Sequence, residues 1–446
     1  MALSSLEEID FKMRVFIGPQ EVAGYYSRLT QGFKELGYSC DFLSYKSHKF
    51  GYDLPVSNFW LLRTLKSFYV YRENLKSGNL ARRIVLGFVG RVIHLVFFIT
   101  ALFRYDVFIF TYGSSLFRKN RDLPIIRFFN KKIIMNVGHG SELRPPYVNG
   151  AFQSPDGTRQ PSLSMLKDLS EKYSRQITYL ERYCSYLVGA PYSSSQFSTK
   201  RFINWFALGV PIKGASDDKQ ILVSTTNRIR ILHSPSHPAL KGSDIIRTSI
   251  TQLKDQGYDI EFIELIGRPN AEVINELKKC DFVVDQLYSD TPLASFATEA
   301  AWYGKPAIVG GYQLEELKSF IKDDMFPPSY LCHPDGITEA IETLIVNTSL
   351  RKELGQSAKE FVHHKWVSIE VAKRYIQIVE GEISNDWWLD PKEVTYLYGV
   401  GQPACVTKER VLKMIQTYGV DSLQLNHNKK LESAFVQFAQ SDLKDA

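Results

Sequence analysis

One stretch narrows the choice of fold more than any other: Asp281 to Gly311, DFVVDQLYSDTPLASFATEAAWYGKPAIVGG. Phe282-Val283-Val284 is a short apolar run bounded by Asp281 and Asp285, the pattern of a strand buried in a parallel sheet. The following segment, YSDTPLAS, is rich in small and turn-forming residues, and Thr291-Pro292 opens a turn. Ser295 is placed to N-cap a helix over Phe296 to Tyr303, which Gly304 and Pro306 end. Ala307-Ile308-Val309 reads as the next strand, closed by Gly310-Gly311. Such a loop-to-helix junction leaves N–H groups without intrahelical partners and a partial positive charge, which suits a phosphate. Glu299, one turn into the helix, is placed to accept hydrogen bonds from a ribose diol near that phosphate. The same pattern also describes a plain βαβ unit with a surface glutamate.

A chain of 446 residues holds two domains of ordinary size plus an appendage. Its apolar fraction of 44% and charged fraction of 23% are those of a globular protein and exclude a disordered one. Five cysteines (40, 184, 280, 332 and 405) are scattered, odd in number and without a C-x-x-C pair. That pattern points to reduced thiols in the cytosol, not to a disulfide or zinc framework. The amino terminus, MALSSLEEID, is acidic and lacks the apolar core of a secretory signal. Net charge is only +6, but residues 1–210 carry 28 Lys and Arg against 15 Asp and Glu, whereas the remainder carries 26 against 33. A basic first half suits anionic lipid head groups or a phosphorylated acceptor. No clustered basic-aromatic module accompanies it, so nucleic acid is not expected as a partner.

In chain order, Met13 to Gly18 is an apolar strand leading into a helix whose Tyr25, Leu29, Phe33 and Leu36 share one face and which ends at Gly37. Gly24 lies in the turn between them, where it either starts the helix or lets backbone come close to a ligand. Ile84 to Phe103, IVLGFVGRVIHLVFFITALF, is long enough to cross a bilayer. Arg91 and His94 near its middle, its two glycines, and Arg82, Arg83 and Arg104 at both ends count against a span. The leading expectation is a helix apolar all round because it is buried on the sheet; an interfacial helix and a true span are the alternatives. Asp106 to Phe110 and Ile133 to Val137 are strands, the second ending in Gly138-His139-Gly140. Ligands gather beyond the carboxyl ends of parallel strands, so His139, Glu142 and Arg144 sit where chemistry is expected. Tyr186 to Gly189 is a further strand.

Residues 211–220, PIKGASDDKQ, read as an interdomain linker. The second domain opens with the strand Ile229 to His233, followed by HSPSHPALKGSDII. Lys241 in that loop is a point charge for a phosphate, or simply a solvated lysine. Glu261 to Ile266 is a strand, and Gly267-Arg268-Pro269-Asn270 a loop opening a helix to Cys280. Cys332-His333-Pro334 lacks further ligands at metal spacing and reads as a loop. Trp366 to Glu380 is helical, as are two amphipathic segments beyond residue 386.

These segments resemble the retaining glycosyltransferases of the GT-B fold and are similar to the polysaccharide-type members of glycosyltransferase family 4. The resemblance covers roughly residues 13–385, patchily in the first half and strongly over 229–311. In that family a sugar-contacting Glu lies eight positions before a ribose-contacting Glu, ahead of a helix ending Gly-x-Pro. Glu299 and Gly304-Lys305-Pro306 match the second half; Thr291, with Asp290 beside it, stands where the first Glu belongs. GHGSELR resembles an H-G-S-D-hydrophobic-R element with Glu142 in place of Asp, and the turn at Gly24 resembles a glycine loop that faces the donor diphosphate. Lys241-Gly242 matches the phosphate lysine, but Pro235 and Ser236 occupy the place of its Arg partner, leaving His233, His237 or Arg268 as substitutes.

The resemblance implies an α/β fold of two Rossmann-like domains facing a cleft: an acceptor domain over 1–210, a donor domain over 211–366, a crossover helix over 367–385 and a helical appendage over 386–446. It implies transfer of a sugar from a nucleotide-diphosphate sugar to a glycan or lipid-linked acceptor, without metal or cofactor, in polysaccharide or glycoconjugate synthesis. The implied donor site is Gly24, Lys241, Arg268, Asp290, Thr291, Ser295, Phe296 and Glu299; Glu142 and Arg144 would meet the acceptor, and His139 and Lys241 would serve catalysis. The expected location is cytoplasmic, at the inner face of a membrane that the basic first domain touches peripherally. A non-catalytic subunit of the same fold, binding nucleotide or a partner protein, is the alternative.

Overall fold

The computed structural model describes residues 13–45, 57–73, 80–140, 142–154, 159–213 and 228–441. Most of the expected linker, from residue 214 onward, lies outside the described residues. Two parallel sheets form, each wrapped by helices. The first runs through β1 (Arg14–Gly18), β2 (Ser39–Phe42), β3 (Val107–Phe110), β4 (Lys132–Asn136), β5 (Tyr186–Gly189) and β6 (Phe202–Asn204). The second contains β7 (Ile229–His233), β8 (Ile260–Glu264), β9 (Phe282–Ser289), β10 (Ala307–Gly311) and β11 (Tyr330–Cys332). A two-residue strand, β12 (Trp388–Leu389), then returns to the first sheet and pairs antiparallel with β6. Strand order is 12-6-5-4-3-1-2 in the first sheet and 11-10-9-7-8 in the second. All residues of β3 (VFIF) and β9 (FVVDQLYS) are buried, as strands covered on both faces must be. This is the expected architecture of two Rossmann-like domains facing a cleft.

The helix α1 (Tyr25–Glu35) follows β1, and its buried Tyr25, Leu29 and Phe33 lie on one stripe. The helix Ser368–Glu380 crosses back onto it. Gly32 sits at the crossing, where a Cβ would come within 2.1 Å of the Ser368 carbonyl oxygen. Tyr375 on the crossing helix donates to Asn136 Oδ1 at 2.6 Å and lies 3.2 Å from the Tyr25 hydroxyl. Two chain segments also pair as an isolated parallel bridge, with Ile212 N–H bonded to Trp366 O and Ser368 N–H to Ile212 O.

Residues 387–441 are integrated into the body. Besides supplying β12, they bridge both domains: Val400 N–H bonds to Val148 O at 2.9 Å and Gly401 N–H to Tyr288 O at 2.9 Å. The helices Ala404–Tyr418 and Lys429–Gln440 pack together, and Tyr147 donates to Leu423 O at 3.1 Å.

The long apolar segment departs from the leading expectation. It forms α3 (Leu80–Arg104), packed beside α2 (Trp60–Glu73), but only its inner stripe is covered. Phe97 and Ala101 are fully buried, whereas Phe88 is 64% and Phe103 66% exposed. A helix lying on the outside of a domain has one face to bury, and the sequence made both faces apolar.

Candidate functional site

A cavity of about 570 Å³ opens between the domains, within the size range of small-molecule sites. Loops after the carboxyl ends of β1, β3, β4, β7 and β8 line it, together with the start of the helix Ser295–Trp302. The first domain contributes Gln20 to Ala23, Tyr112, His139 and Gly140. From the second come Ser234 to His237, Lys241, Gly267, Arg268, Asn270, Asp285, Ala294 to Phe296, and Glu299.

Two helix amino termini point toward this cleft, and they differ in one respect. At α1, Glu21 fills the terminus itself: its carboxylate accepts from the N–H of Val22 at 2.8 Å, Tyr26 at 3.1 Å and Ser27 at 2.8 Å. Burial raises its pKa despite these three bonds. Gly24 is the N-cap, with φ of 80° that favours glycine, and it does not line the cavity. Its place is explained by that turn, not by approach to a diphosphate. The helix Ser295–Trp302 starts one residue earlier than expected, with Ala294 as N-cap and no side-chain cap. Ser295 is therefore the first helical residue. An uncapped terminus in a cavity wall offers first-turn N–H groups and positive dipole to an anion.

Lys241 ends a short helix, Pro238–Lys241, and its ammonium donates to Gln286 Oε1 and lies 4.0 Å from Asp285 Oδ1. Gly242 follows with φ of 71°, and a Cβ there would meet Leu287 Cβ at 2.5 Å. Only glycine brings Lys241 so close to β9. Asp285 is 2% exposed, its Oδ2 has no hydrogen-bond partner, and burial raises its pKa. Thr291 stands outside the cavity lining, but its carbonyl accepts from Ser289 Oγ at 2.7 Å, and that oxygen accepts from Gln286 at 2.6 Å. It thus braces the amide that holds Lys241.

Glu299 is 3% exposed and already engaged across the cleft. Arg28 of α1 donates to its Oε1 at 2.7 Å, and Asn270 Nδ2 lies 3.1 and 3.2 Å from its two oxygens. Phe296 and Arg268 line the same cavity, and Arg268 is 4.0 Å from Glu272. His233 is excluded as a phosphate partner. Its Nδ1–H faces Val284 O at 2.7 Å, so Nε2 accepts from Ser243 Oγ at 2.8 Å, and burial pushes its pKa to about 4.

His139 packs among Tyr25, Tyr26 and Trp205, with ring centroids 5.1 to 5.7 Å away. Its Nδ1 lies 3.0 Å from the Tyr26 hydroxyl, and its buried Nε2 has no partner. Desolvation lowers its pKa to about 4, so the ring is neutral. Glu142 and Arg144 do not line the cavity. Glu142 Oε1 accepts the His139 main-chain N–H at 2.7 Å, and burial raises its carboxyl to about 7. Arg144 pairs with Asp290 at 2.5 Å in a buried bridge between domains. In this structure the expected acceptor residues Glu142 and Arg144 and the expected donor residue Asp290 are engaged in holding the loop and the domain junction.

Arg28 and Glu21 carry no sequence signal of their own, whereas Asn270 belongs to the expected loop Gly267 to Asn270 and Asp285 bounds the expected apolar strand. Among the described residues no group of three or more His, Cys, Asp or Glu is arranged to hold a metal ion.

No protein-family model and no curated protein matches the chain. Similar solved structures include HepE from Anabaena in complex with UDP and glucose, at 13% identity and TM-score 0.47, covering 83% of this chain and all of that one. The catalytic domain of starch synthase IV from Arabidopsis thaliana bound to ADP and acarbose is 12% identical with TM-score 0.48, covering 83% and 99%. The glycosyltransferase SnogD from Streptomyces nogalater is 14% identical with TM-score 0.40, covering 82% and 99%. With TM-scores below 0.5, these likenesses do not bear on function, and the functional reading rests on the site's own geometry.

Proposed function

We propose that this chain is a retaining glycosyltransferase that moves a hexosyl group from a nucleotide-diphosphate sugar to a glycan or lipid-linked acceptor, on the cytoplasmic side of a membrane and in polysaccharide or glycoconjugate synthesis. The carrying observation is the convergence, in one interdomain cavity, of an uncapped helix terminus, Lys241 and Glu299. The diphosphate lies at the Ser295 terminus beside Lys241. Glu299 accepts from the ribose diol, and the base rests on the loop Gly267 to Asn270. As the sugar–phosphate bond breaks, negative charge grows on the leaving phosphate, and these fixed positive groups stabilise it without a resident metal. With Tyr26 donating to Nδ1, the neutral His139 ring stands in the cavity wall on the side of the first domain.

Thermal melting with UDP-, ADP-, GDP- and TDP-linked hexoses identifies the donor, and proton NMR of the transferred sugar reads the anomeric outcome. No melting shift with any donor refutes the reading. The Arg28–Glu299 pair also favours a second reading, a non-catalytic subunit whose cleft is latched. That reading expects nucleotide binding with no turnover in the presence of any acceptor.

A further inference from the structure

The outer face of α3 is unlike the rest of the surface. Ile84, Phe88, Val92, Leu95, Ile99 and Phe103 recur every three or four residues, and all are between 45% and 66% exposed. They form an apolar stripe roughly 29 Å long. Phe128 and Phe129, at the end of α4 (Leu123–Phe128), extend it, for the Phe129 ring lies 5.7 Å from that of Phe103 and Phe128 is 81% exposed. An exposed apolar face of this extent marks an interaction surface.

Charge selects its partner. Among the described side chains of residues 57–104, Arg63, Arg72 and Arg91 are exposed cations and no acid accompanies them. Arg91 lies exposed along the stripe and Arg104 ends the helix. A second copy of the chain, docked about a two-fold axis, would set this basic surface against itself. A span is disfavoured because the inner stripe is anchored: Phe97, Phe98 and Ala101 sit in the core, and His94 is held by Tyr45 at 3.3 Å and Tyr69 at 3.0 Å. Anionic lipid fits both properties, since apolar side chains enter the acyl boundary while Arg side chains reach head groups.

We propose that α3, with Phe128 and Phe129, docks flat on an anionic bilayer. The docking face lies close to the cleft: the Tyr45 hydroxyl meets His94, and its N–H bonds to Pro19 O at 3.2 Å, next to the cavity-lining Gln20. The proposal does not depend on the donor-site reading, because the residues it uses lie outside the cavity.

The test is flotation of the full chain with phosphatidylcholine vesicles containing 30 mol% phosphatidylglycerol (roughly the anionic density that polybasic segments sense). The double variant Phe88→Glu/Leu95→Glu and the single variant Phe128→Ser alter exposed side chains, and unchanged melting temperature confirms their folding. Supporting results are binding to anionic but not neutral vesicles, weakening with salt, and at least a ~10-fold loss in the double variant, equal to about 1.4 kcal/mol. Undiminished binding of the double variant overturns the proposal. So do release only by detergent, which indicates a span, and a dimer in light scattering that the double variant dissolves. Absence of vesicle binding by the wild-type protein overturns it as well.

Discussion

Replacing Glu299 separates two jobs that the structure assigns to one carboxylate. It is 3% exposed, paired with Arg28 at 2.7 Å and bonded to Asn270. Arg28 itself is only 15% exposed at its side chain, so removing the carboxylate leaves a cation without this partner in a desolvated place. Breaking a buried pair costs about 3–5 kcal/mol when the remaining charge is left uncompensated, and Arg28 keeps other interactions, so a smaller loss is expected here. Glu299→Gln keeps the shape and one acceptor oxygen and is expected to lose less. For a nucleotide, a charge-assisted bond to ribose contributes about 1.5–3 kcal/mol, so Glu299→Ala should raise Kd roughly 10- to 150-fold. Glu299→Gln retains a neutral bond and should raise it roughly fivefold. Arg28→Ala is the control: it breaks the same interdomain pair but leaves the carboxylate in the cavity. Calorimetry with the best nucleoside diphosphate, paired with melting curves, reads both effects. Parallel losses of stability without any change in Kd, in folded Glu299→Ala and Arg28→Ala alike, would show that Glu299 is only a latch and sink the ribose assignment.

Lys241→Ala is expected to weaken the nucleoside diphosphate and the sugar donor alike, by about 1.5–3 kcal/mol, with a larger effect on turnover than on binding; equal effects on both refute the transition-state role. Asp285→Asn should loosen the sugar donor while sparing the free diphosphate, because its Oδ2 has no partner in the cavity wall; equal Kd values for both ligands, before and after mutation, leave Asp285 without a sugar role. Burial raises Glu142 to about 7 from an ordinary 4.5, so the folded state keeps a proton that the unfolded chain releases, and this stabilisation is present below about 4.5 and lost as pH rises through 7. Glu142→Gln should therefore gain melting temperature relative to wild type at pH 8 compared with pH 5, and a pH-independent difference contradicts the assignment. His139 acts in the opposite sense, its depressed pKa costing stability as pH falls from 6.5 towards 4. Gly242→Ala should destabilise by about 1–3 kcal/mol and lower donor affinity with it, since its Cβ strikes Leu287; an unperturbed melt would show that Lys241 is positioned by other means.

Much of the fold was legible in local pattern. Ile229–His233 and Tyr186–Gly189 coincide with the expected strands, because unbroken apolar runs between turn residues declare a strand covered on both faces. The short strands β2, β6, β11 and β12 are not legible in this way: Ser39–Phe42, Phe202–Asn204 and Tyr330–Cys332, whose last residue the sequence places in a loop, are too brief to show a period, and Trp388–Leu389 is recruited by a distant edge. The junction at Ser295 and the Lys241-Gly242 pair could also be read, because both depend on residues adjacent in sequence.

What sequence alone determined, then, are the elements and the loops that carry polar residues at strand ends, since period and turn chemistry act over a few residues. Tertiary structure decided which of those residues share a space. Asp290 and Thr291 sit beside the right loop yet face a domain bridge and a bracing amide, while Arg28 arrives 271 positions away to meet Glu299. Only folding revealed that Glu21 fills one helix terminus and leaves the other open. The same holds for α3, whose composition permits burial, span or surface. Its exposure is settled by how many faces the neighbouring core can cover, a property of packing that no residue in the helix records.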